Sequence, residues 1–376
     1  MILFNKPHLT GKENFYINQS LNTGKSCGDG LFTKKCEDFF QRKLGSSKCL
    51  LVSSCSDALE MCAILSNIKP GDEVIVPSYT FVSTALAFTR EGAKLVFADS
   101  RKDSPNIDED KIEDLITPRT KALAVVHYAG IACDMDKIKT IAEKHNLIVI
   151  EDAAQAIDSY YNGKPLGTIG NLGVLSFHET KNIQCGEGGL ISINEKDLED
   201  RSEIIWEKGT NRSKFLKGEI NKYGWEDIGS SFLPADYVAA YLWAQLENLD
   251  SIQRRRKEIW ERYYSNLSEI NKRLPVIPNY ATNNAHMFYM ICDTGEQRDR
   301  LMNNLKDKGI NTCFHYLCLH KSNFIKNRQP DTYKLDLPMA EHYEKCLLRL
   351  PLYPDLPDDS VDYICEAILN FYKQEE

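Results

Sequence analysis

Short runs of apolar residues alternate with segments of helical periodicity between residues 50 and 195. Apolar runs this short, closed by turn residues, are typical of strands buried on both faces of a parallel sheet. The predicted strands include Cys49–Val52, Gly71–Pro77, Lys94–Asp99, Leu123–His127, Leu147–Ile150 and Leu190–Ile193. Strands that alternate with helices predict an α/β fold with a mainly parallel sheet flanked by helices.

The helical segments and the domain organisation follow from the same patterning. Helices are predicted at Thr33–Leu44, Ile107–Ile116, Asp134–His145, 195–207 and Ala235–Leu249. Residues 1–249 form the predicted large α/β domain, in which residues 1–35 are irregular and glycine-bearing. Residues 250–376 form a predicted smaller α+β domain, with a strand at Met287–Ile291 and a helix at Arg298–Lys308.

Composition and charge exclude several classes of protein. The chain has 376 residues, 42% of them hydrophobic and 27% charged, as in an ordinary globular protein. Its 46 basic and 54 acidic residues give a net charge of −8, which disfavours binding to nucleic acid. No apolar run is long enough to span a bilayer, and Met1–His8 lacks the pattern of a signal peptide. We therefore expect a cytoplasmic protein that binds neither nucleic acid nor membrane.

Twelve cysteines are scattered singly along the chain, with no C-x-x-C spacing. In a long chain without a secretion signal, they are expected to be free thiols in a reducing compartment.

A cluster of metal-capable side chains at short spacing contains Cys313, His315, Cys318 and His320. This spacing differs from that of zinc sites, which have a second ligand pair far along the chain, so no metal site is predicted.

Glycine-rich and serine-rich turns are candidates for phosphate binding. Gly24-Lys25-Ser26 lacks the first glycine of a P-loop, and the glycines at 28–30 do not complete a dinucleotide fingerprint. Ser54 and Asp57, between a predicted strand and a predicted helix, have the serine-to-acid spacing of a capping box. This turn is either a simple helix cap or a phosphate site at a helix N-terminus.

A carboxylate and a lysine follow two successive predicted strands. Asp152 closes the run that begins at Leu147, and a second short run delivers Ser176 and, five residues later, Lys181. Ligands of parallel sheets bind beyond the carboxyl ends of the strands. Pyridoxal phosphate requires a lysine that carries it and a carboxylate that keeps its pyridine nitrogen protonated. The pair is consistent with such a cofactor site, and also with a helix cap and a solvated lysine.

Three motifs in the middle of the chain carry a resemblance to a known family. They are Glu151-Asp-Ala-Ala-Gln155, Ser176-Phe-His-Glu-Thr-Lys-Asn182 and Gly186-Glu-Gly-Gly189. In this order they resemble the sugar aminotransferases of the DegT/DnrJ/EryC1/StrS family, and the likeness extends from Gly24 to Leu352. The resemblance implies a fold-type I enzyme that depends on pyridoxal 5'-phosphate, with a large α/β domain and a smaller C-terminal domain.

The resemblance also implies the reaction and the assembly. An amino group would pass from L-glutamate to a keto-sugar linked to a nucleoside diphosphate, for surface polysaccharide synthesis. The segments Glu207–Ser213 and Asn284–Tyr289 are most similar to those of family members that aminate dTDP-4-keto-6-deoxyglucose at C4 to the galacto product. Amination at C3, or to the gluco epimer, is the alternative. Family members are homodimers whose active sites draw on both subunits, and we expect the same here.

Individual residues receive roles from the resemblance. Lys181 and Asp152 are the implied catalytic pair. Cofactor contacts are implied for Cys55, Ser56, Phe81, Asp152, Gln155, Ser176, Lys181 and Ser231. Among these, Phe81 is expected to stack on the pyridine ring, and the serines at 56 and 176 to bind the phosphate. Substrate contacts are implied for Lys25, His178, His315 and His320.

Two places depart from the family pattern. Cys55-Ser56 stands where the family has a Gly-Thr pair, which keeps the hydroxyl but loses the glycine that allows close backbone approach. Ser231 and Leu233 replace the Asn and Arg of a G-x-N-x-R motif, whose Asn reaches the cofactor phosphate of the neighbouring subunit. A serine can still donate one hydrogen bond, so Ser231 is retained as a predicted contact.

Three other functions share part of this pattern. Family members that remove a hydroxyl carry histidine at the lysine position, so Lys181 favours transamination. A nicotinamide-dependent sugar oxidoreductase is disfavoured by the missing glycine fingerprint. A regulatory protein that binds the cofactor without turnover remains an alternative, although the intact Asp152 and Lys181 count against it. Release of 2-oxoglutarate from glutamate would separate it from an enzyme.

Overall fold

The computed structural model describes residues 1–375, so Glu376, the last residue of the predicted C-terminal domain, lies outside it. The helices are α1 (Glu13–Asn22), α2 (Leu31–Leu44), α3 (Cys55–Leu65), α4 (Val82–Arg90), α5 (Met135–His145), α6 (Glu199–Trp206), α7 (Arg212–Leu216), α8 (Asp236–Leu246), α9 (Leu249–Asn266), α10 (Gly295–Asp307), α11 (Asn323–Arg328), α12 (Pro330–Tyr333), α13 (Pro338–Cys346) and α14 (Asp358–Glu375). The strands are β1 (Lys48–Val52), β2 (Glu73–Pro77), β3 (Lys94–Ala98), β4 (Thr120–Val126), β5 (Ile148–Asp152), β6 (Tyr160–Tyr161), β7 (Lys164–Pro165), β8 (Leu172–Ser176), β9 (Gly189–Ile193), β10 (Phe288–Ile291) and β11 (Leu347–Leu350). Among these residues no helix has both the length and the apolar character that a bilayer crossing requires.

Seven strands form the central sheet, in the order β1-β9-β8-β5-β4-β2-β3. Neighbouring strands run parallel from β8 through β5, β4 and β2 to β3, whereas β9 runs antiparallel to both β1 and β8. The predicted α/β fold with a mainly parallel sheet is confirmed. Because parallel strands end at the same edge of a sheet, the residues that follow β2, β4, β5 and β8 are brought together there.

Alternate residues of each strand point to opposite faces of the sheet and enter two different apolar clusters. On β2, Ile75 packs in the cluster that contains residues of α2, α5 and α8. Its neighbours Val74 and Val76 pack in the cluster that contains residues of α3 and α4. Helices therefore cover both faces, which explains why the strands are apolar throughout instead of alternating with polar residues.

Side-chain caps fix two helices that border the carboxyl edge of the sheet. The Ser54 hydroxyl caps α3 and accepts a hydrogen bond from the Asp57 amide at 3.1 Å, as the capping-box spacing predicts. The buried Asp236 carboxylate, at the start of α8, caps α2 by accepting from the amides of Phe32 and Thr33 in its first turn. A Cβ at Gly30 would lie 2.3 Å from the Asp236 side chain. The glycine-rich turn at 28–30 is therefore a packing site between α2 and α8.

A second sheet joins β10 and β11 antiparallel in the C-terminal part of the chain. Its apolar side chains share a separate cluster with those of α9, α10 and α14. Helix α9 begins at Leu249, beside the predicted boundary between residues 1–249 and 250–376. The domain division itself stays a prediction, since a further aromatic cluster packs Tyr79 and Tyr128 against Tyr289.

The N-terminal segment differs from the sequence-based expectation. Residues 1–35, predicted as irregular, contain all of α1 and the start of α2. The buried Glu13 accepts a hydrogen bond from the amide nitrogen of Gln245 at 2.9 Å, which fastens α1 to α8. Tertiary contact with α8 therefore stabilises a helix whose own apolar periodicity is weak.

The segment Ile107–Ile116 also differs, because two short 3-10 turns replace the predicted helix. Ile107 is held extended by a bridge to Ser100. The buried Glu109 carboxylate accepts from Arg101 and from the Asp134 amide. These long-range bonds compete with a regular helix, and they outweigh its local periodicity. Likewise, the predicted helix Ala235–Leu249 divides into α8 and the start of α9.

Candidate active site

A cavity of about 540 Å³ opens at the carboxyl edge of the central sheet. Its walls come from the N-termini of α3 and α4, the ends of β4, β5 and β8, and the loop after β8. The C-terminal part of the chain contributes residues near 286, 315 and 349. Phe4 and Asn5, from the N-terminal segment, complete the lining. Stretches that are far apart in the sequence therefore meet in one space.

Nine of the twelve predicted site residues line this cavity. They are Cys55, Ser56, Phe81, Asp152, Gln155, Ser176, His178, Lys181 and His315. The remaining three, Lys25, Ser231 and His320, do not. Lys25 and Ser231 are exposed. His320 is 0% exposed, and its Nδ1 lies 2.6 Å from the Ser78 hydroxyl.

The Asp152 carboxylate is fixed by hydrogen bonds at the end of β5. Its Oδ2 accepts from the Thr84 hydroxyl at 2.6 Å, and its Oδ1 accepts from the Ala154 amide at 3.1 Å. Thr84 lies in the first turn of α4, with its hydroxyl 3.1 Å from that of Thr80. Asp152 is 5% exposed, so little water competes for these bonds. The carboxylate is therefore preorganised for a charged partner in the cavity.

Lys181 lies in the loop that joins β8 to the antiparallel β9. Its amide donates to the His178 carbonyl at 2.9 Å. The next residue, Asn182, donates through its side chain to Gln253 at 2.8 Å, and Ile183 is fully buried. The loop is anchored immediately after the lysine, which fixes the point from which its side chain enters the cavity.

Burial lowers the pKa of the Lys181 amine below its usual range. The negative charge of the nearby Asp152 carboxylate opposes this change, and the positive charge of Arg349 adds to it. A lowered pKa increases the fraction of neutral amine near neutral pH. The neutral amine is the form that attacks an aldehyde and that accepts a proton.

A cluster of hydroxyls surrounds the N-terminus of α3. The Ser56 and Ser83 hydroxyls are 2.6 Å apart, and Ser176 lines the same cavity from the end of β8. The first amides of a helix have no partner within the helix, so this end favours an anion. A Cβ at Gly189 would lie 2.5 Å from the Cys55 amide nitrogen, so glycine allows β9 to pass close behind the helix. Burial raises the pKa of the Cys55 thiol well above its usual range, which keeps it neutral.

Gln155 connects the sheet to the aromatic wall of the cavity. Its side-chain oxygen Oε1 accepts from the Ala129 backbone amide at 2.7 Å, and its side-chain nitrogen Nε2 donates to the Tyr316 hydroxyl at 2.9 Å. The Tyr316 ring stacks on His315 with 3.5 Å between ring centroids. Phe81 faces this wall with its centroid 6.3 Å from that of Tyr316, and is 56% exposed. One face of Phe81 is thus available to a planar ligand.

Two histidines of the cavity are held neutral. Burial, followed by the positive charges of Arg349 and Lys181, lowers the pKa of His315 well below its usual range. Burial is also the largest cause that lowers the pKa of His286 well below its usual range. His315 Nδ1 lies 2.7 Å from the Tyr128 hydroxyl. At neutral pH these imidazoles therefore act as hydrogen-bonding groups without charge.

The metal-capable cluster of the sequence does not converge. The backbone of Cys313 pairs with that of Arg349, while His315 and His320 bond separately to Tyr128 and Ser78. Within residues 1–375, no three His, Cys, Asp or Glu side chains are grouped to hold a metal ion. The cysteines are free thiols, as the sequence predicts.

Several lining residues were missed by sequence reasoning. They are Phe4, Asn5, Ser83, His286, Tyr316 and Arg349. Arg349 carries the clearest available signal, because it is a charged residue inside the apolar run Leu347–Leu350. Thr84 has no such signal, since its importance arises from Asp152, which is distant in sequence.

The fold and the cavity together define a class of enzyme. A lysine with a lowered pKa suits the aldehyde of pyridoxal phosphate, and a fixed carboxylate suits its protonated pyridine nitrogen. Serine hydroxyls at a helix N-terminus suit its phosphate. The residues of this cavity therefore fit the cofactor, and the protein is a fold-type I, pyridoxal-phosphate-dependent aminotransferase.

Comparison with known proteins gives the family. The model of the DegT/DnrJ/EryC1/StrS aminotransferase family matches residues 7–369. The chain belongs to this family, and it is a sugar aminotransferase. The resemblance stated from the sequence motifs is confirmed at the level of the family.

Individual relatives match along their whole length. The spore coat polysaccharide biosynthesis protein SpsC of Bacillus subtilis is 34% identical over 97% of this chain and 96% of its own length. The GDP-perosamine synthase of Escherichia coli O157:H7 is 33% identical over 98% of this chain and 97% of its own. The structure of Spr1654 from Streptococcus pneumoniae, in its PLP form, superposes with a TM-score of 0.90 over 99% of both chains, at 26% identity.

Proposed function

We propose that this aminotransferase transfers the amino group of L-glutamate to C4 of dTDP-4-keto-6-deoxy-D-glucose. The products are 2-oxoglutarate and dTDP-4-amino-4,6-dideoxy-D-galactose. The observation that carries the proposal is that Lys181 and Asp152, which follow neighbouring strands, line one cavity of about 540 Å³. The choice of sugar rests on the likeness of Glu207–Ser213 and Asn284–Tyr289 to the enterobacterial dTDP-4-amino-4,6-dideoxygalactose transaminase.

Surface polysaccharide synthesis is the proposed use of the product. The relative SpsC is a spore coat polysaccharide biosynthesis protein, which supports this use.

Lys181 and Asp152 are the proposed catalytic residues. Bound pyridoxal phosphate supplies the electron sink for the negative charge that develops at the donor carbon. Lys181 would hold the cofactor through Nζ. Its neutral Nζ would also serve as the group that accepts and returns the proton of the donor carbon. Asp152, fixed by Thr84, would keep the pyridine nitrogen protonated.

Binding roles are proposed for the other lining residues. Ser56 and Ser176, which line the cavity, would donate hydrogen bonds to the cofactor phosphate, together with the backbone at Cys55 in the first turn of α3. Phe81, which is exposed to the cavity, would stack on the pyridine ring. Gln155, held between the Ala129 amide and the Tyr316 hydroxyl, positions the ring or Asp152.

Two histidines are proposed to contact the sugar nucleotide. His178 is partly exposed at the cavity wall, with its Nδ1 2.9 Å from the Thr180 hydroxyl. His315 is neutral and can donate or accept one hydrogen bond to a sugar hydroxyl. For His320, which is fully buried between Ser78 and Glu341, the proposed role is limited to positioning.

A homodimer with shared active sites is the proposed assembly. Lys25 and Ser231 do not line the cavity of their own chain, and in a dimer they would serve the partner's site. The segment that precedes Ser231 exposes large apolar side chains, with Leu216 57%, Tyr223 51% and Trp225 85% exposed. Clustered apolar exposure is typical of interaction surfaces. Light scattering after gel filtration measures the mass of the protein in solution, and we expect the mass of two chains. A mass of one chain would contradict this assembly.

The deciding experiment is a defined reaction. The purified enzyme, loaded with pyridoxal phosphate, is incubated with L-glutamate and dTDP-4-keto-6-deoxy-D-glucose, and the sugar product is identified by NMR. We expect an axial amino group at C4 and one 2-oxoglutarate for each amino sugar. The Lys181→Ala variant is expected to lose turnover and the yellow colour of the bound cofactor. An amino group at C3, an equatorial group at C4, or no 2-oxoglutarate would contradict the proposal.

A second candidate substrate is a GDP-linked keto-sugar. The observation that favours it is the relative from Escherichia coli O157:H7, a GDP-perosamine synthase at 33% identity. The same assay with GDP-linked and dTDP-linked keto-sugars, compared by kcat/KM, decides between the nucleotides. A higher kcat/KM for the GDP sugar would replace the dTDP assignment and leave the transamination chemistry intact.

A further inference from the structure

His286 brings an imidazole nitrogen without a protein partner to the cavity that also contains Lys181. The residue is 5% exposed, and its Nδ1 lies 2.8 Å from the side-chain oxygen of Asn182. Within residues 1–375, its second ring nitrogen, Nε2, has no hydrogen-bond partner. A neutral imidazole donates from one nitrogen and accepts at the other, so the state of Nε2 depends on what Nδ1 does.

The orientation of the Asn182 side-chain amide is fixed by its neighbours. Its Nδ2 donates to the Asn284 backbone carbonyl at 2.9 Å and to Gln253 Oε1 at 2.8 Å. Gln253 is oriented in the same way, because its Nε2 donates to that carbonyl at 3.3 Å and to the Asp158 carboxylate at 3.4 Å. A carbonyl and a carboxylate can only accept, so both amides must direct their nitrogens there. The Asn182 oxygen therefore faces His286.

This series of bonds determines the tautomer of His286. Because the Asn182 oxygen can only accept, Nδ1 carries the hydrogen and donates it, and Nε2 is left with a lone pair. Burial lowers the pKa of this imidazole well below its usual range, and the positive charges of Lys181, Arg256 and Arg349 add to the change. The cavity therefore contains an uncharged hydrogen-bond acceptor in a fixed position.

Another buried histidine shows what a purely structural role looks like. His127 is 0% exposed, and both of its ring nitrogens have protein partners. Its Nδ1 accepts from the Cys133 amide at 3.2 Å, and its Nε2 lies 2.9 Å from the Glu151 carboxylate. His127 does not line the cavity, whereas His286 does. The contrast indicates that the lone pair of His286 serves a donor inside the cavity.

The Lys181 amine is the donor that fits this acceptor. Among the charges that act on the pKa of His286, that of Lys181 has the largest effect. The two side chains also share an anchor, because Asn182, which orients His286, is the residue next to Lys181. The Asp152 carboxylate already accepts from Thr84, and the proposed function requires it for the pyridine nitrogen.

We propose that His286 is a positioning residue for Lys181, and that its Nε2 accepts a hydrogen bond from the free Lys181 amine. The inference rests on the proposed function, because it requires Lys181 to move the proton of the donor carbon. A primary amine turns freely about its last carbon–nitrogen bond. An N–H bond held by His286 removes this freedom and keeps the nitrogen lone pair in one direction, which favours the proton transfer.

Two substitutions separate the functions of the two ring nitrogens. His286→Asn places an amide near the position of Nδ1, so it keeps a bond to Asn182 and loses the acceptor in the cavity. His286→Gln places an amide near the position of Nε2, and its oxygen can still accept from Lys181. His145→Asn is the matched control, because His145 lies at the end of α5, pairs with Glu113 and does not line the cavity.

The tautomer is measured directly on the wild-type chain. Histidine labelled with nitrogen-15 is incorporated, and the ring nitrogens are observed by NMR in the cofactor-free protein at neutral pH. The signals of His286 are those that disappear in either variant at this position. We expect a protonated Nδ1 and an unprotonated Nε2. A protonated Nε2 would overturn the inference without any measurement of turnover.

Stopped-flow absorbance of the holoenzyme measures the proton transfer. Each enzyme is mixed with saturating L-glutamate, either unlabelled or deuterated at the donor carbon. In His286→Asn we expect the rate to fall about 10-fold, as for loss of one hydrogen bond to a group that becomes charged. The isotope effect should rise, because proton transfer becomes the slow step. His286→Gln should recover part of the rate, and His145→Asn should match the wild type.

Three kinetic results would also overturn the inference. One is an unchanged rate and isotope effect in His286→Asn. Another is weaker binding of glutamate or pyridoxal phosphate with an unchanged isotope effect, which would give His286 a structural role. The third is a loss confined to the reaction of the dTDP-amino sugar, which would assign Nε2 to a sugar hydroxyl. Failure of the proposed function is distinct, since Lys181→Ala would then keep the glutamate reaction whatever the tautomer of His286.

Discussion

Replacing Thr84 with valine removes the hydroxyl that fixes Asp152 and keeps the shape of the side chain. The Thr84 hydroxyl donates to Asp152 Oδ2 at 2.6 Å, and both residues are buried. Within residues 1–375, the other donor to this carboxylate is the Ala154 amide, at 3.1 Å from Oδ1. Oδ2 therefore loses its protein donor in the variant, and water replaces it poorly because Asp152 is 5% exposed.

The magnitude follows from the type of bond. A hydrogen bond to a charged group contributes about 1.5–3 kcal/mol, and a short bond in a buried site belongs in the upper half of that range. We therefore expect the free energy of unfolding of the cofactor-free protein to fall by about 2–3 kcal/mol. Cofactor binding should also depend on this bond, because the Asp152 carboxylate must stay charged and in place to pair with the protonated pyridine nitrogen. The Kd for pyridoxal phosphate should rise by up to about tenfold, or about 1.4 kcal/mol.

The assay combines urea unfolding of the cofactor-free protein with a titration of pyridoxal phosphate followed by absorbance. Thr89→Val is the matched control, because Thr89 lies on the same helix and its hydroxyl donates only to the Ala85 carbonyl, at 3.1 Å. Removing such a local bond should change stability by less than about 0.5 kcal/mol. Equal effects of Thr84→Val and Thr89→Val on both stability and cofactor affinity would refute the reasoning.

Two further predictions concern packing and pH. Gly189→Ala places a Cβ 2.5 Å from the Cys55 amide nitrogen, so we expect a loss of about 1–3 kcal/mol and weaker cofactor binding. Gly224→Ala, whose nearest neighbour would be 3.9 Å away, should change thermal stability little, and similar melting curves for both variants would contradict the prediction. Burial pushes up the pKa of Glu73, but hydrogen bonds from three side chains outweigh it and lower the pKa from 4.5 to about 2. Because the folded-state pKa is the lower one, the stabilisation is complete above pH 4.5 and is lost as the pH falls towards 2. Glu73→Gln should therefore be less stable than the wild type at neutral pH and approach it in acid, and a constant difference in unfolding free energy from pH 7 to 3 would contradict this.

The strand pattern and the meeting of Asp152 with Lys181, the proposed catalytic pair, are the parts of the molecule that could be predicted from the sequence. Strands buried on both faces form continuous apolar runs, and this signal is contained in a few consecutive residues. Asp152 and Lys181 follow two such runs, so their meeting at one edge of the sheet follows from the fold class. The Ser54 cap is equally local, because its acceptor and donor are three residues apart.

Prediction from the local sequence pattern failed where residues outside the segment supply the hydrogen-bond partners. Ile107–Ile116 has helical periodicity, yet bonds to Ser100, Arg101 and Asp134 hold it in another conformation. In the opposite sense, α1 has weak periodicity and forms through contact with α8. Helix propensity contributes less per residue than a few buried hydrogen bonds, so tertiary contacts decide such segments.

The amino-acid sequence by itself determined the class of fold, the order along the chain of the main strands of the central sheet, and the lysine and carboxylate that line the cavity. Only the tertiary structure decided that Thr84 fixes Asp152, that burial lowers the pKa of Lys181, and that Arg349 and Phe4 meet in the same space. The physical reason is the separation along the chain of the residues that each property involves. Apolar periodicity is contained in a few neighbouring residues, whereas hydrogen-bond partners, burial and charge depend on groups that folding brings together from distant parts of the chain.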